Sequence, residues 1–267
     1  MEEKLLKRFL CLVLALIMII SLCACGNAVK PAYRQLDILG IKDYGLVFRA
    51  GDKSAQYVMA ALSTLAANGT LSYYSRQWLG SDKICMVGDG AALYSFEEMP
   101  AARTYIIGVE ESCRPMSYES GGEYVGLSVD IAKSIGEALG WEIKIQPISS
   151  KEISIQLQSG NIDCAVGFGT EHLSREKFAV SESYMQSEIV LFTTYDSNIN
   201  SIGRLKGKKV GYYGDQSVMK LVQANEKITK TAGGYVEYTS ISSCFKALRN
   251  GSLSVAAMDS IVLNSNS

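Results

Sequence analysis

Histidine is almost absent from this chain: His172 is the single one in 267 residues, and no two cysteines stand in a Cys-x-x-Cys pair. These shortages remove the usual zinc ligand sets and any triad that needs a second imidazole, so neither metal catalysis nor a cofactor is expected. An excess of one charge is missing too. The 26 Lys and Arg meet 27 Asp and Glu, for a formal net charge of −1. Nothing here is built to coat a phosphate backbone, and nucleic acid is not an expected partner. No internal repeat is visible, and a content of 48% hydrophobic and 20% charged residues excludes disorder and fibre repeats. The length suits one large α/β domain or two lobes, not several independent domains.

A long apolar run occurs near the start, over residues 9–22, behind Lys4, Lys7 and Arg8, and small residues then lead into Cys25-Gly26. Charged, apolar and small-residue regions in that order make a secretory signal over 1–24. The run falls short of the roughly 20 residues a membrane span needs, although a retained anchor helix is the alternative. Leu22-Cys23-Ala24-Cys25 resembles the bacterial lipobox, with Cys23 where that motif usually carries Ser or Ala. The resemblance implies a lipid on Cys25 and a protein held through it on the extracellular side of the cell membrane. Cys85, Cys113, Cys164 and Cys244 remain in the body. They could form two bridges or stay as buried thiols, and their spacing does not choose.

From Arg103 onward, short β-branched runs alternate with helical patterns, the mark of an α/β fold with mostly parallel sheets. Strands are expected over 105–109, 143–146, 163–168 and 188–194, and helices over 130–139, closed by Gly140, and 153–159. After a polar stretch at 196–201 a smaller set follows: strands 208–212, 235–238 and 254–258, helices 217–224 and 241–248. Two lobes are implied. Ahead of Arg103 come a strand over 44–48 and helices over 54–67 and 70–79, stopped by Gly69 and Gly80. Residues 81–102 read as a connector with at most one short strand. Tyr74 and Trp78, four apart on one helical face, read as core rather than as a ligand box.

Four passages are similar to the extracellular solute-binding proteins of polar amino-acid ABC importers. They are Gly122-Glu-Tyr-Val-Gly-Leu-Ser-Val-Asp130 with the helix after it; Leu157 to Asp163 leading through Gly169-Thr170 to Arg175 and Ser181-Glu-Ser-Tyr184; Leu205-Lys-Gly-Lys-Lys-Val-Gly211; and Leu248-Arg-Asn-Gly251 to Asp259. Val180 stands where the family carries Phe. A fifth passage, from Tyr44-Gly-Leu-Val-Phe-Arg-Ala-Gly-Asp52 through Gly69-Thr70 to Trp78-Leu-Gly80, resembles the carboxyl-terminal end of such a protein, yet here it comes first. The resemblance implies a two-lobed, type II periplasmic-binding-protein-like fold that is circularly permuted. Lobe 1 would cover 25–195, with 31–80 as the family's old end, 81–102 as connector and 103–195 as its beginning. Lobe 2 and the return crossing would cover 196–267. Surface-lying termini make such rearrangement tolerable. A monomer closed on itself is expected, with a swapped dimer as the alternative.

A site that buries a free amino acid must pair both its carboxylate and its ammonium. Arginine suits the first through its planar fork. The resemblance assigns Arg175 to the ligand carboxylate, Thr170 to a further bond and Asp259 to the ammonium, so that closure depends on the ligand. Without the flanking passages Arg175 would be an ordinary surface charge, and Asp259 a helix N-cap. Gly214, Gln216 and Ser217 occupy a strand–helix turn whose N–H groups could receive an anion. Glu110, Cys113, Tyr118, Ser150, Phe168 and Tyr212 are the expected specificity positions. Cys113 and Ser150 replace the rings that relatives use, and Phe168 stands at a place usually small. The implied function is extracellular binding of a polar amino acid and its delivery to an ABC-type permease, without catalysis. An enzyme resembling cyclohexadienyl dehydratases, with Glu110 as acid or base, and a ligand-sensing receptor module are the alternatives.

Overall fold

The computed structural model describes residues 32–170, 173–214 and 216–265, without the Gln216 side chain. The signal segment, Cys25 and His172 lie outside the described residues. In chain order the strands are β1 (Tyr33–Arg49), β2 (Thr104–Glu110), β3 (Tyr118–Ser120), β4 (Glu123–Val125), β5 (Glu142–Ile148), β6 (Cys164–Gly169), β7 (Phe178–Val180), β8 (Met185–Thr194), β9 (Lys209–Tyr212), β10 (Gly234–Glu237) and β11 (Val255–Asp259). The α-helices are α1 (Ala55–Ala67), α2 (Thr70–Leu79), α3 (Leu127–Leu139), α4 (Ile153–Ser159), α5 (Gln216–Ala224), α6 (Glu226–Thr231), α7 (Ile241–Arg249) and α8 (Ser260–Ser265).

One sheet runs in the order β10-β9-β11-β8-β1-β6-β2-β5, with β7 added alongside β1, and β3 and β4 make a separate hairpin. Both ends of this sheet are parallel: β10 with β9 and β9 with β11 at one end, β6 with β2 and β2 with β5 at the other. The middle is antiparallel, because β1 pairs with both β6 and β8 and β8 pairs with β11. Helical crossovers therefore serve each end, while two long strands connect the ends.

Side chains alternate across this sheet as strand geometry requires. Val190 and Phe192 of β8 and Ala256 and Met258 of β11 join one apolar cluster, together with Leu46 and Phe48 of β1 and Cys164 and Val166 of β6. Their neighbours face the other way. There the apolar contacts separate into two clusters, one around Ile189, Leu191, Val210, Val255 and Ala257, the other around Val47, Ile148, Ala165 and Phe168. The described residues from Tyr33 onward form one compact unit.

The segment ahead of β2 is built into the same body. β1 lies between β8 and β6, and Trp78 of α2 donates its indole N–H to Asp130 of α3 at 2.7 Å while Tyr74 meets Ser134 at 2.9 Å. These two rings are partly buried against the large cluster, as their spacing suggests. Residues 81–102 contain no strand. They hold one 3₁₀ turn, Ala92–Ser95, and a bridge from Ile84 to Met185, and they lie against α1 where the Asp89 N–H meets the Ser63 hydroxyl at 2.7 Å.

A candidate amino-acid site at the centre of the sheet

Asp259 closes β11 and is almost fully buried, with 4% of its surface exposed. Period-2 alternation decides which groups it meets. Lys42 and Tyr44 stand two apart on β1; Lys42 lies opposite Ser187 of β8, and Asp259 lies opposite Ile189 on the other side of β8. The Tyr44 hydroxyl and the Ser187 hydroxyl, the latter at 2.8 Å, both donate to Asp259 Oδ2. The Ile261 N–H donates to Oδ1 at 2.9 Å. Lys42 Nζ lies 3.8 Å from Oδ2 and 4.9 Å from the Tyr44 ring centre. Burial first, and the Asp259 charge next, push the Tyr44 hydroxyl well above its ordinary pKa, so it remains a donor.

Lys42 and Asp259 of this group line a recess together with Glu110, Cys113, Phe168 and Tyr213, among others. Glu110 and Cys113 arrive from the end of β2 and the turn after it. The turn is fixed by paired backbone bonds between Cys113 and Ser117 at 2.8 Å, and by the Ser117 hydroxyl on the Glu110 carbonyl at 2.5 Å. Burial, followed by the charge of Glu110, raises the Cys113 thiol well above its usual pKa, which keeps it neutral. Tyr213 enters from the end of β9, its N–H bonded to the Ala257 carbonyl at 3.1 Å. The recess has a volume of about 20 Å³, little more than one water needs. It adjoins two grooves of about 760 and 660 Å³ that share Ser150 and Gly214 with it. Lys151 and Glu237, 2.7 Å apart, border both grooves, and each is held in its charged form by the other: the Glu237 carboxyl is lowered and the Lys151 ammonium raised.

The expected site residues fall into three groups. Glu110, Cys113, Ser150, Phe168, Gly214 and Asp259 meet at the recess. Tyr118 lines the larger groove beneath the Arg114 guanidinium, 3.7 Å from its ring centre, and Tyr212 lines the other groove, with its hydroxyl 3.3 Å from Glu237. Thr170 is buried just behind, its N–H and hydroxyl on the Asp43 carbonyl at 3.1 and 3.4 Å, and Ser217 is buried in the first turn of α5. The Gln216 side chain lies outside the described atoms. Arg175 is not brought to the recess. The turn of Lys177 and Phe178 N–H groups onto the Ser174 carbonyl carries buried Phe178 into β7 and leaves Arg175 exposed, bonded to the Val180 carbonyl at 3.2 Å. Lys42 was missed because the strand was expected to begin at Tyr44. Extending the Lys42-Asp43-Tyr44 alternation backwards would have placed its ammonium beside the Tyr44 ring.

Residues 105–258, from β2 to β11, match the bacterial extracellular solute-binding proteins, family 3. The chain belongs to this family. As a family 3 chain it shares 30% identity over 107 residues with the arginine-binding extracellular protein ArtP of Bacillus subtilis (strain 168), covering 40% of this chain and 42% of that protein. It thus spans well under half the length of that curated relative. An ancestral arginine-binding protein bound to arginine is 26% identical in sequence and aligns with a TM-score of 0.53 over 61% of this chain and 73% of the other. A substrate-binding protein of an ABC uptake transporter from Streptococcus pneumoniae, solved with bound histidine, is also 26% identical, with a TM-score of 0.55 over 60% and 68%. The mixed α/β sheet with helices on both faces agrees with these neighbours. Among the described residues no helix is long and apolar enough to cross a membrane.

Cys85 is an exposed free thiol, and Cys113, Cys164 and Cys244 are buried free thiols.

Proposed function

We propose that this family 3 chain captures an amino acid outside the cell, in the recess above Asp259, and delivers it to an ABC-type permease without chemical change. One observation carries the reading: a buried carboxylate at the end of a parallel strand, fixed by three donors, opens onto a recess that also holds a lysine and a second carboxylate. Ligands of open α/β sheets bind at such strand ends. The named ligands of the relatives, arginine and histidine, suit Glu110 as partner for a cationic side chain.

The recess is too narrow for an amino acid as it stands, so binding requires its walls to part. β8 and β1 are the strands through which the two parallel ends are connected. We read them as the hinge between a lobe over 25–195 and a lobe over 196–267, which move apart and reclose on the ligand. The Lys151–Glu237 pair would then join the lobes at the mouth. The chain order supports circular permutation: the family match begins at β2, yet β1 fills the gap between β8 and β6, both inside the match. Anchoring through a lipid on Cys25 belongs to the same proposal.

Isothermal titration of the full chain with each of the twenty amino acids tests it. The expected outcome is micromolar or tighter binding of one or more basic amino acids, removed by Asp259→Asn. No heat from any of the twenty would end the amino-acid reading.

A further inference from the structure

The charges of this chain are unevenly shared. Residues 33–195 carry thirteen Lys and Arg against twenty Asp and Glu, whereas residues 196–267 carry nine against five. Much of that local excess is gathered at one end of the sheet. Arg204 ends a 3₁₀ turn (Ile202–Arg204), Lys206 and Lys208 stand in the loop after it, and Lys209 opens β9. Helix α6 adds Lys227 and Lys230 and packs against that turn. Backbone bonds hold the pieces together: the Gly207 N–H meets the Thr231 carbonyl at 3.1 Å, and the Gly233 N–H meets the Lys208 carbonyl at 2.7 Å. Burial of Ile202, Leu205, Val210 and Ile228 turns the intervening cations outward, and all six are exposed. Among the described residues, Lys230 is the one of the six in an ion pair, 2.8 Å from Glu226. None of the six lines the recess or the two grooves beside it.

The chain enters the fold at this same end. Tyr33 of β1 pairs with Thr194, and the Arg34 guanidinium donates to the Ser197 and Ile199 carbonyls at 2.9 and 2.8 Å, on the segment that leads directly into the turn ending at Arg204. Cys25 precedes Tyr33 by eight residues, a contour of at most about 29 Å. We propose that this basic end is a docking surface for anionic phospholipid headgroups, which it meets when the chain is tethered through Cys25. The inference needs from the function proposed above only that tether. Two observations choose a lipid surface over an acidic protein. Five of the six cations are lysines, compact charges on flexible stems with no pocket around them to fix a partner's carboxylate. Mobile headgroups of one sign ask for no such fixed geometry. The tether, moreover, brings the bilayer to this end of the fold, so each contact forms at high effective concentration. A lipid chain and a basic patch together hold a membrane more firmly than either alone. β9 and β11 run parallel away from this end, and Asp259 closes β11 at the other. The docked chain therefore holds its recess away from the bilayer, on the side from which a solute arrives.

Flotation of the full chain with lipid vesicles tests this. Vesicles of equal parts phosphatidylglycerol and phosphatidylcholine are compared with phosphatidylcholine alone, at low and at high salt, and the leading apolar run is common to every protein compared. The wild type is expected to prefer the anionic vesicles and to lose that preference at high salt. The triple variant Lys206→Glu, Lys208→Glu, Lys209→Glu should bind the anionic vesicles more weakly by about tenfold or more. A charge-matched triple variant at lysines exposed elsewhere, Lys133→Glu, Lys144→Glu, Lys177→Glu, should lose less than about threefold. Equal losses in the two variants, no loss in the first, or no wild-type preference for anionic lipid overturns the assignment. Displacement of the wild type from anionic vesicles by polyglutamate at matched charge would overturn it too, and would give the patch to an acidic protein. Calorimetric titration with L-arginine is expected to read the same in the first variant as in the wild type, because the patch lies at the far end of the strands from Asp259. A chain that binds no amino acid ends the amino-acid reading and leaves the vesicle result standing.

Discussion

Tyr44 shows how much one side chain does at the centre of this molecule. Its ring packs within the large cluster and against the Lys42 ammonium, and its hydroxyl satisfies a carboxylate that is otherwise expensive to bury. Removing that hydroxyl leaves Oδ2 with Ser187 as its hydrogen-bond donor. Tyr44→Phe is therefore expected to destabilise the fold by about 1.5–3 kcal/mol, the usual worth of a hydrogen bond to a charged group. Urea titration of the two proteins checks this, and an unchanged midpoint would show that the bond to Asp259 adds nothing. At this scale the site was only half legible. Asp259, Glu110, Cys113 and Phe168 were expected at strand ends by the resemblance, and the sheet brings the four to one recess. Arg175, expected at the site from its five-residue spacing after Thr170, does not line this recess, because such a spacing fixes distance along the chain but not the direction of a turn. The burial of Phe178 at the start of β7, paired with Arg49 of β1, sets that direction.

Among the elements, β1 and α3 teach the most about local rules and their limits. β1 runs seventeen residues, yet its first half escapes a period-2 search. Register shifts between Gln35 and Asp37 and between Ile38 and Gly40 break the alternation there. Its anchoring is tertiary: Arg34 donates to the carbonyls of Ser197 and Ile199 at 2.9 and 2.8 Å. Helix α3 begins at Leu127, three residues before the start expected at residue 130. The Leu127 and Ser128 N–H groups are capped by the Pro115 and Met116 carbonyls at 3.1 and 2.9 Å, so a neighbouring turn replaces the side-chain cap. Helices α4 and α2 were expected at their observed bounds, because Gly160 and Gly80 stop them in left-handed conformations. The three-residue strands β3, β4 and β7 and the six-residue helices α6 and α8 are too short to show a period, and they exist through their contacts. The cap of α3 requires Gly126, whose φ is 131° and where a Cβ would fall 2.4 Å from the Met116 carbonyl oxygen. Gly126→Ala should cost at least about 1–3 kcal/mol, and because the 113–117 turn carries Cys113, it should weaken ligand binding as well. A variant with wild-type melting temperature and affinity would contradict that coupling.

At the scale of the whole molecule, the α/β class and the division into two parallel ends were visible as alternating strand and helix patterns. What the patterns could not show is how the ends are joined. The leading segment and the return strand β8 are separated by more than a hundred residues, and their pairing depends on contacts that leave no local signature. The connection places Lys42, Tyr44 and Asp259 together at the centre, where a ligand would draw both ends onto itself. The Lys151–Glu237 pair at the mouth is exposed, so it contributes little to stability by itself. Amide hydrogen exchange of the full chain, with and without saturating L-arginine, tests the central claim most directly. Ligand-dependent slowing is expected at residues 42–45, 110–113, 168–169, 213–214 and 257–262. Slowing confined to other segments, or none at any arginine concentration, would contradict binding above Asp259.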